Sequence, residues 1–260
     1  MRVTFLGTGT SHGIPMIGCD CAVCRSTDPH NKRLRPSVFI EEGETCLLLD
    51  ATPDFRTQAL RAGIRRVDAV LVTHTHADHV LGLDDLRAFT ERTGNPMPIH
   101  GTAGALADIK RVFPYACNEK PAWPSLPSFS LREIGTEVAG VKVLPVELPH
   151  GRGSVLGFVF GNEFAYLTDC HEVPAAAREA VRGVTVLVLD GLRHRPHPTH
   201  LTIENAAGIG VALGAKLTLL THMSHDIDHA TTEAALPANV RLAFDGMKLE
   251  ISDGTYRIVD

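Results

Sequence analysis

The feature that most narrows the possible folds is the stretch THTHADH at residues 73–79, which closes the apolar run VDAVLV (67–72). His74, His76, Asp78 and His79 put four metal-ligating side chains within six residues. A strand that ends in a turn and then enters a helix can aim several of them into one crevice. A mixed imidazole and carboxylate set suits zinc, manganese or iron rather than calcium. Three more ligand types follow apolar runs in the same way: His150 after VELP, Asp169 after FAYLT and His222 after KLTLLT. Singly, such a residue is commonly a cap or a surface group. Together with residues 73–79 they make the complement of a two-metal site, and a fold that uses them must bring these strand ends to one edge.

Strand-like runs recur from VTFLG (3–7) to VRLAFDG (240–246), rich in Val, Leu, Phe and Thr and bounded by Gly, Pro or Asp. Helix-like segments lie between them at 54–63 and 78–94, with Gly63 and Gly94 placed as C-terminal stops. Others are read at 103–113, 173–183 and 203–216, the last capped by Thr202. Hairpin-like pairs alternate with strand–helix units in both halves. The class is α/β (α+β), and two packed sheets with helices on their outer faces would make four layers. The proline-rich piece PAWPSLP (121–127) is too short to be a linker, so one domain, 1–260, is expected.

With a net charge of −5, nothing global attracts nucleic acid or an anionic membrane. Two basic stretches, NKRLRP (31–36) and RHRPH (193–197), read first as solvated loops. The opening MRVTFLGTGTSHG lacks the apolar core of a secretory signal, and no run approaches the ~20 apolar residues of a membrane span. A cytoplasmic protein without disulfides is therefore expected.

On HTHADH followed in order by a His, an Asp and a final His, the sequence resembles the metallo-β-lactamase-fold hydrolases across nearly its whole length. The segments TFLGTGTSHGIP and LLLDATPDF resemble the phosphodiesterase branch of that superfamily. The resemblance implies an αββα sandwich with two divalent ions, zinc or manganese, at its edge. It assigns His74, His76 and His150 to one ion, Asp78, His79 and His222 to the other, and Asp169 as the bridge. Asp50 would support a ligand histidine from behind. Two ions about 3.5–4 Å apart make hydroxide available near neutral pH and stabilise charge developing on the substrate. His200, in RHRPHPTHLT, matches the catalytic histidine of the phosphodiesterases and would protonate the leaving group. Its plain alternative is a helix-entry histidine.

The same metal set serves β-lactamases, thioesterases, lactonases, RNA 3′-processing endonucleases and small phosphodiesterases. Only 38 residues follow His222, short of a glyoxalase II-type extension. Eighteen residues separate His150 from Asp169, too few for an RNA-gripping arm. Cys19, Cys21 and Cys24 lie together in GCDCAVC (18–24), and His225 follows His222 by three residues. Three thiolates and an imidazole would close a tetrahedral structural zinc site, with a redox pair or packed thiols as the alternatives. This arrangement resembles the phosphoribosyl cyclic phosphodiesterases of the carbon–phosphorus lyase pathway of phosphonate breakdown. Cys46 and Cys117 read as packing residues, and Cys170 either joins the site or turns away from it.

The expected function is thus a binuclear phosphodiesterase acting on a small cyclic phosphodiester, with Arg193 and Arg195 binding a second anionic group. A thioesterase or lactonase, or a non-catalytic metal- or redox-responsive module, is the alternative. The expected partner is the small-molecule substrate, with no membrane and no stable nucleic-acid partner; a homodimer is left open.

Overall fold

Side chains along a strand point alternately to its two faces, and here both faces are buried. Leu47 and Leu49 enter one apolar core while Leu48 between them enters another. Val186 and Val188 join the first of these cores, whereas Leu187 and Leu189 belong to a third. The computed structural model describes residues 1–117, 123 and 125–259, so the proline-rich piece 121–127 lies partly outside the described residues.

Two sheets carry these strands. The larger has eight, in the spatial order Thr255–Val259, Lys248–Ser252, Arg2–Gly7, Ser37–Glu42, Thr45–Leu49, Ala69–Leu71, Met97–Gly101 and Phe129–Glu133. The smaller has six: Val240–Leu242, Leu217–Thr221, Val186–Asp190, Phe164–Leu167, Gly153–Phe160 and Leu144–His150. Their inner faces share one core, with Phe5, Ile40 and Leu47 on one side and Phe158, Tyr166 and Leu219 on the other. Helices Phe55–Ala62, Arg87–Thr93 and Ala103–Val112 cover the larger sheet through Phe55, Phe89 and Ile109. Helices Ala175–Ala180 and Ile203–Leu213 cover the smaller through Ala177 and Ala206. The result is the four-layer αββα sandwich. Among the described residues, no helix is long and apolar enough to cross a membrane.

Four strands of each sheet run parallel to one another, from 45 to 133 in the larger and from 164 to 242 in the smaller. Their C-terminal ends meet at one edge, where open α/β sheets place ligands. Backbone hydrogen bonds stitch the two sheets together there. Leu156 N–H donates to Thr73 O at 2.9 Å, and Met223 N–H to Thr8 O at 3.0 Å.

Gly63 and Gly94 end their helices in the left-handed conformation, with φ of 67° and 70°. Thr202 caps its helix by accepting from Asn205 N–H at 3.1 Å. The segment 78–94 is not one helix. It divides into Ala77–Val80, a 3₁₀ turn Leu83–Leu86 and Arg87–Thr93. The break comes at Gly82, where a Cβ would lie 1.8 Å from Thr52 O, so the chain must bend around this docking point. Strands 97–101, 129–133, 248–252 and 255–259 were not legible in the sequence. They are short or near the sheet margins, and polar residues interrupt their apolar pattern.

Candidate metal centre

Strand ends deliver the side chains one at a time. After Ala69–Leu71 the chain passes through Thr73 and His74, and His76 becomes the N-cap of the helical turn Ala77–Val80. That turn carries Asp78 and His79. Three other strands end on Asp50, Asp169 and His222, each in the left-handed region with φ of 59°, 55° and 62°. This conformation is uncommon outside glycine, and three such residues at one edge mark a place where the backbone is bent to aim side chains.

Ligand atoms of His74, His76 and His150 lie within 4.8 Å of one another, as do those of Asp78, His79 and His222. Asp169 reaches both triads, a ligand atom of it lying within 4.8 Å of those of His74 and His79. Its Oδ1 is 3.2 Å from His222 Nε2 and its Oδ2 is 3.4 Å from His79 Nε2. Asp78 Oδ2 lies 3.4 Å from His79 Nε2 and 3.7 Å from His222 Nε2.

These residues fit divalent cations on two grounds. The Nε2 atoms of His74, His79 and His222 are buried without a hydrogen-bond partner. A buried polar atom left unpaired costs about 1–3 kcal/mol, which a coordinate bond would offset. The field is also that of a cation site. Burial alone would strip the proton from His79, yet Asp169 and Asp50 hold it well above the ordinary histidine range. His222, equally buried, is lifted to about 9 by Asp169, Asp78 and Asp190. A metal ion would take the place of those protons.

Hydrogen bonds behind the ligands set their orientation. Asp50, with no exposed surface, accepts from His79 Nδ1–H at 2.7 Å, from Thr73 N–H at 2.8 Å and from the Thr73 hydroxyl at 2.7 Å. His150 Nδ1–H donates to Thr199 O at 3.2 Å. Each bond occupies Nδ1 and leaves Nε2 for a metal. His200 stands beside the same group: a ring nitrogen lies within 4.8 Å of ligand atoms of His150 and Asp169. Its Nδ1–H donates to Asp190 Oδ2 at 2.7 Å, and its ring stacks on His222 with centres 4.8 Å apart. Sequence reasoning missed Asp190. The signal was present, because Asp190 closes VTVLVLD (184–190) as Asp50 closes its own strand.

A second cluster lies apart from this one. His225 Nδ1 is 3.2, 3.5 and 3.8 Å from Sγ of Cys19, Cys21 and Cys24. A tetrahedron with bonds of about 2.0–2.3 Å has edges of about 3.3–3.8 Å, so this spacing fits zinc. The Cys24 backbone N–H lowers the Cys21 thiol to about 6, and burial lifts Cys24 to about 11. Cys170 turns away from the metal centre into the apolar layer under the outer helices, where burial pushes its thiol well up. Only its backbone N–H serves the site, donating to Asp190 Oδ2 at 3.1 Å. Cys46 and Cys117 pack against the core of the larger sheet.

A cavity of about 230 Å³ opens beside His200, lined also by Arg193, Arg195, His197, Ser11 and His12. Arg193 donates to the carbonyls of Arg195 and Pro196, and Arg195 pairs with Asp226 at 3.2 Å. Ser11 and His12 lie in TFLGTGTSHGIP, which carried part of the resemblance, but neither residue was singled out there. The other basic stretch, 31–36, is not a solvated loop. Arg33 is 1% exposed and donates to Ser224 O, Ile227 O and Asn31 Oδ1 at 3.3, 2.9 and 3.1 Å. Arg35 donates to both carboxylate oxygens of Asp54. Two loops that must be held in place draw these cations inward.

The family model of the beta-lactamase superfamily domain matches residues 45–223. A crystal structure described as a new diphosphatase from the PhnP family shares 45% identity, covering 96% of this chain and 98% of that one, with a TM-score of 0.89. Zn²⁺-bound PqqB from Methylobacterium extorquens has the same fold at 22% identity, with 96% and 100% coverage and a TM-score of 0.75. An octanoyltransferase of Porphyromonas gingivalis is 38% identical over the full chain, which spans about half (54%) of that protein's length.

Proposed function

The chain belongs to the β-lactamase superfamily and within it to the PhnP family, and from that membership we propose that it is a binuclear metal-dependent phosphodiesterase cleaving a small cyclic phosphodiester such as a phosphoribosyl cyclic phosphate. The observation that carries this reading is Asp169, whose carboxylate lies within 4.8 Å of ligand atoms of His74 from one triad and His79 from the other, with His200 alongside. His74, His76 and His150 would hold one ion, Asp78, His79 and His222 the other, and Asp169 both. Zinc or manganese bound there supplies a water nucleophile active near neutral pH and a positive charge for the phosphoryl oxygens.

The protein's own groups do the rest. Asp50 and the Thr199 carbonyl keep His79 and His150 turned towards the ions. His200 donates a proton to the departing oxygen, and Asp190 behind it fixes the ring by accepting from its Nδ1–H. Arg193 and Arg195 attract an anionic group that the metals do not hold, Arg as a planar multiple donor. The Cys19, Cys21, Cys24 and His225 cluster would hold a structural zinc with no open position, in the reducing cytoplasm where its thiols persist.

A second reading concerns the leaving group. The PhnP-family relative described as a diphosphatase supports a phosphoanhydride as substrate, which the same site could cleave with a phosphate departing. The metal-loaded protein should be assayed on ribose 1,2-cyclic phosphate, on a nucleoside diphosphate, on a thioester and on a lactone. Preferential turnover of the cyclic diester is expected. Turnover confined to the diphosphate selects the second reading, and turnover of the thioester or lactone alone overturns both.

A further inference from the structure

A histidine that binds a metal through Nε2 keeps its hydrogen on Nδ1, and that hydrogen needs an acceptor behind the ring. Three of the ligand histidines have a partner at Nδ1. His79 donates to Asp50 at 2.7 Å, His150 to Thr199 O at 3.2 Å and His74 to the Thr73 hydroxyl oxygen at 3.0 Å. His222 differs, because its Nδ1 is buried without a hydrogen bond. What faces it is Oδ1 of Asp190, 3.9 Å away, which is buried and unpartnered as well.

Donor and acceptor thus stand opposite each other with the bond between them not closed. A separation of 3.9 Å exceeds the about 2.7–3.2 Å of an N–H···O bond. It is also short of the about 4.5 Å that two hydrogen bonds through one water would span. The two atoms are placed to meet directly after a shift of about 1 Å, and leaving both unpaired in so dry a place is costly. The other oxygen of the carboxylate is already committed. Asp190 Oδ2 accepts from His200 Nδ1–H at 2.7 Å and from Cys170 N–H at 3.1 Å. The His200 and His222 rings stack at 13° with centres 4.8 Å apart, and both turn Nδ1 to this one side chain. Asp190 itself closes a strand seated between Phe164–Leu167 and Leu217–Thr221, so the carboxylate has a fixed base.

We propose that Asp190 is a shared positioning residue: its Oδ2 holds the proton donor His200, and its Oδ1 takes Nδ1–H of His222 when Nε2 of that ring binds an ion. Filling of the Asp78, His79 and His222 position and alignment of His200 are then coupled through one carboxylate. The part concerning His200 rests on the phosphodiesterase reading, whereas the anchoring of His222 depends only on a metal being bound.

Asp190→Asn in the full-length protein separates the two roles, because an amide offers one oxygen and one NH₂ group. With the oxygen kept by His200 and Cys170 N–H, the NH₂ group would meet His222 Nδ1–H donor to donor. Competition with a chelator should show the weaker zinc of the metal centre bound about 10- to 100-fold less tightly, with the zinc of the cysteine cluster retained. His200→Ala, which spares Oδ1, should bind both ions of the centre as wild type does. Nitrogen-15 NMR of histidine-labelled wild type supplies a readout that needs no substitution. Zinc titrated into the metal-free protein should bring up a slowly exchanging Nδ1–H signal from His222. Wild-type zinc affinity in Asp190→Asn, or no such His222 signal in zinc-loaded wild type, would overturn the proposal. If Asp190→Asn also loses the cysteine-cluster zinc, its fold is damaged, and the wild-type signal decides. If wild type cleaves no cyclic diester, the phosphodiesterase reading fails, and zinc affinity and the His222 signal still decide for or against Asp190.

Discussion

Nδ1 of His200 lies 2.7 Å from Oδ2 of Asp190, a carboxylate with no exposed surface. Because a carboxylate accepts, Nδ1 carries the hydrogen and Nε2 is the edge left for chemistry. The same device occurs once more in the site, where Asp50 accepts from Nδ1 of His79 at 2.7 Å. In both cases an aspartate at the end of a buried strand turns one histidine. In the proposed reaction one histidine would face the metals and the other the leaving group.

His200→Ala should lower kcat by about 10²–10⁴-fold on a diester with an alkoxide leaving group. The loss should shrink on bis(p-nitrophenyl) phosphate, whose nitrophenolate leaves without a proton. Asp190→Asn should show the same pattern with a loss of about 10–100-fold. Equal losses on both leaving groups would point to positioning instead of proton donation.

Asp169→Ala should abolish turnover and lower the metal content, since its carboxylate lies within reach of His74 of one triad and His79 of the other. The fold should survive because the other ligands come from separately stabilised strand ends. Elemental analysis and circular dichroism read the two effects. Wild type should contain two ions from this centre and one from the cysteine cluster, and full activity with one metal per chain would sink the scheme.

Cys21→Ser should cost one zinc per chain, lower Tm and reduce activity only in part. The cluster ties the loop after the first strand to the loop carrying His222, closing roughly two hundred residues of chain and limiting the entropy of the unfolded state. His225→Ala should be milder, because three thiolates can retain the ion with water as fourth ligand. Unchanged zinc content and Tm in Cys21→Ser would return the thiols to a redox or packing role.

Arg33→Met should destabilise the protein through the Ser224 and Ile227 carbonyls, each buried acceptor left without its donor costing about 1–3 kcal/mol. These carbonyls flank His225, so zinc retention against a chelator should fall as well. Denaturant unfolding and zinc release measure the two effects; normal values for both would reduce Arg33 to a passive packing group.

Asp245 sets a pH dependence. It is buried, and although Leu34 N–H, Arg61 and Thr8 favour its charged form, burial dominates and lifts its pKa from 3.8 to about 6. The folded state therefore binds the proton more tightly than the unfolded chain. The stabilisation is fully present below pH 3.8 and is lost as pH rises through about 6, on the order of 3 kcal/mol. Asp245→Asn should have a lower Tm than wild type, and the gap should narrow as pH is raised from about 4 to 7. A gap that stays constant or widens would show that the carboxyl is ionised throughout.

The centre was legible in the sequence because metal chemistry demands particular side chains, and strands deliver them at recognisable places. An apolar run followed at once by His or Asp marked residues 73–79, His150, Asp169 and His222 without any knowledge of their distances. The helix stops at Gly63 and Gly94 and the cap at Thr202 were equally local, each depending on one residue's own conformational or hydrogen-bonding preference.

Other features depended on contacts between segments far apart in the chain. The break at Gly82 comes from Thr52 pressing on it, and nothing inside 78–94 records that neighbour. Arg33 reads as a surface cation until the loop at 224–227 closes over it and its carbonyls replace water. Asp190 became a partner of His200 only when its strand was seated beside 164–167 and 217–221. Residue type and local pattern therefore settled which ligands were available and roughly where strands and helices lie. Burial and hydrogen-bond partnership, which belong to pairs of distant residues, were decided by the tertiary structure alone.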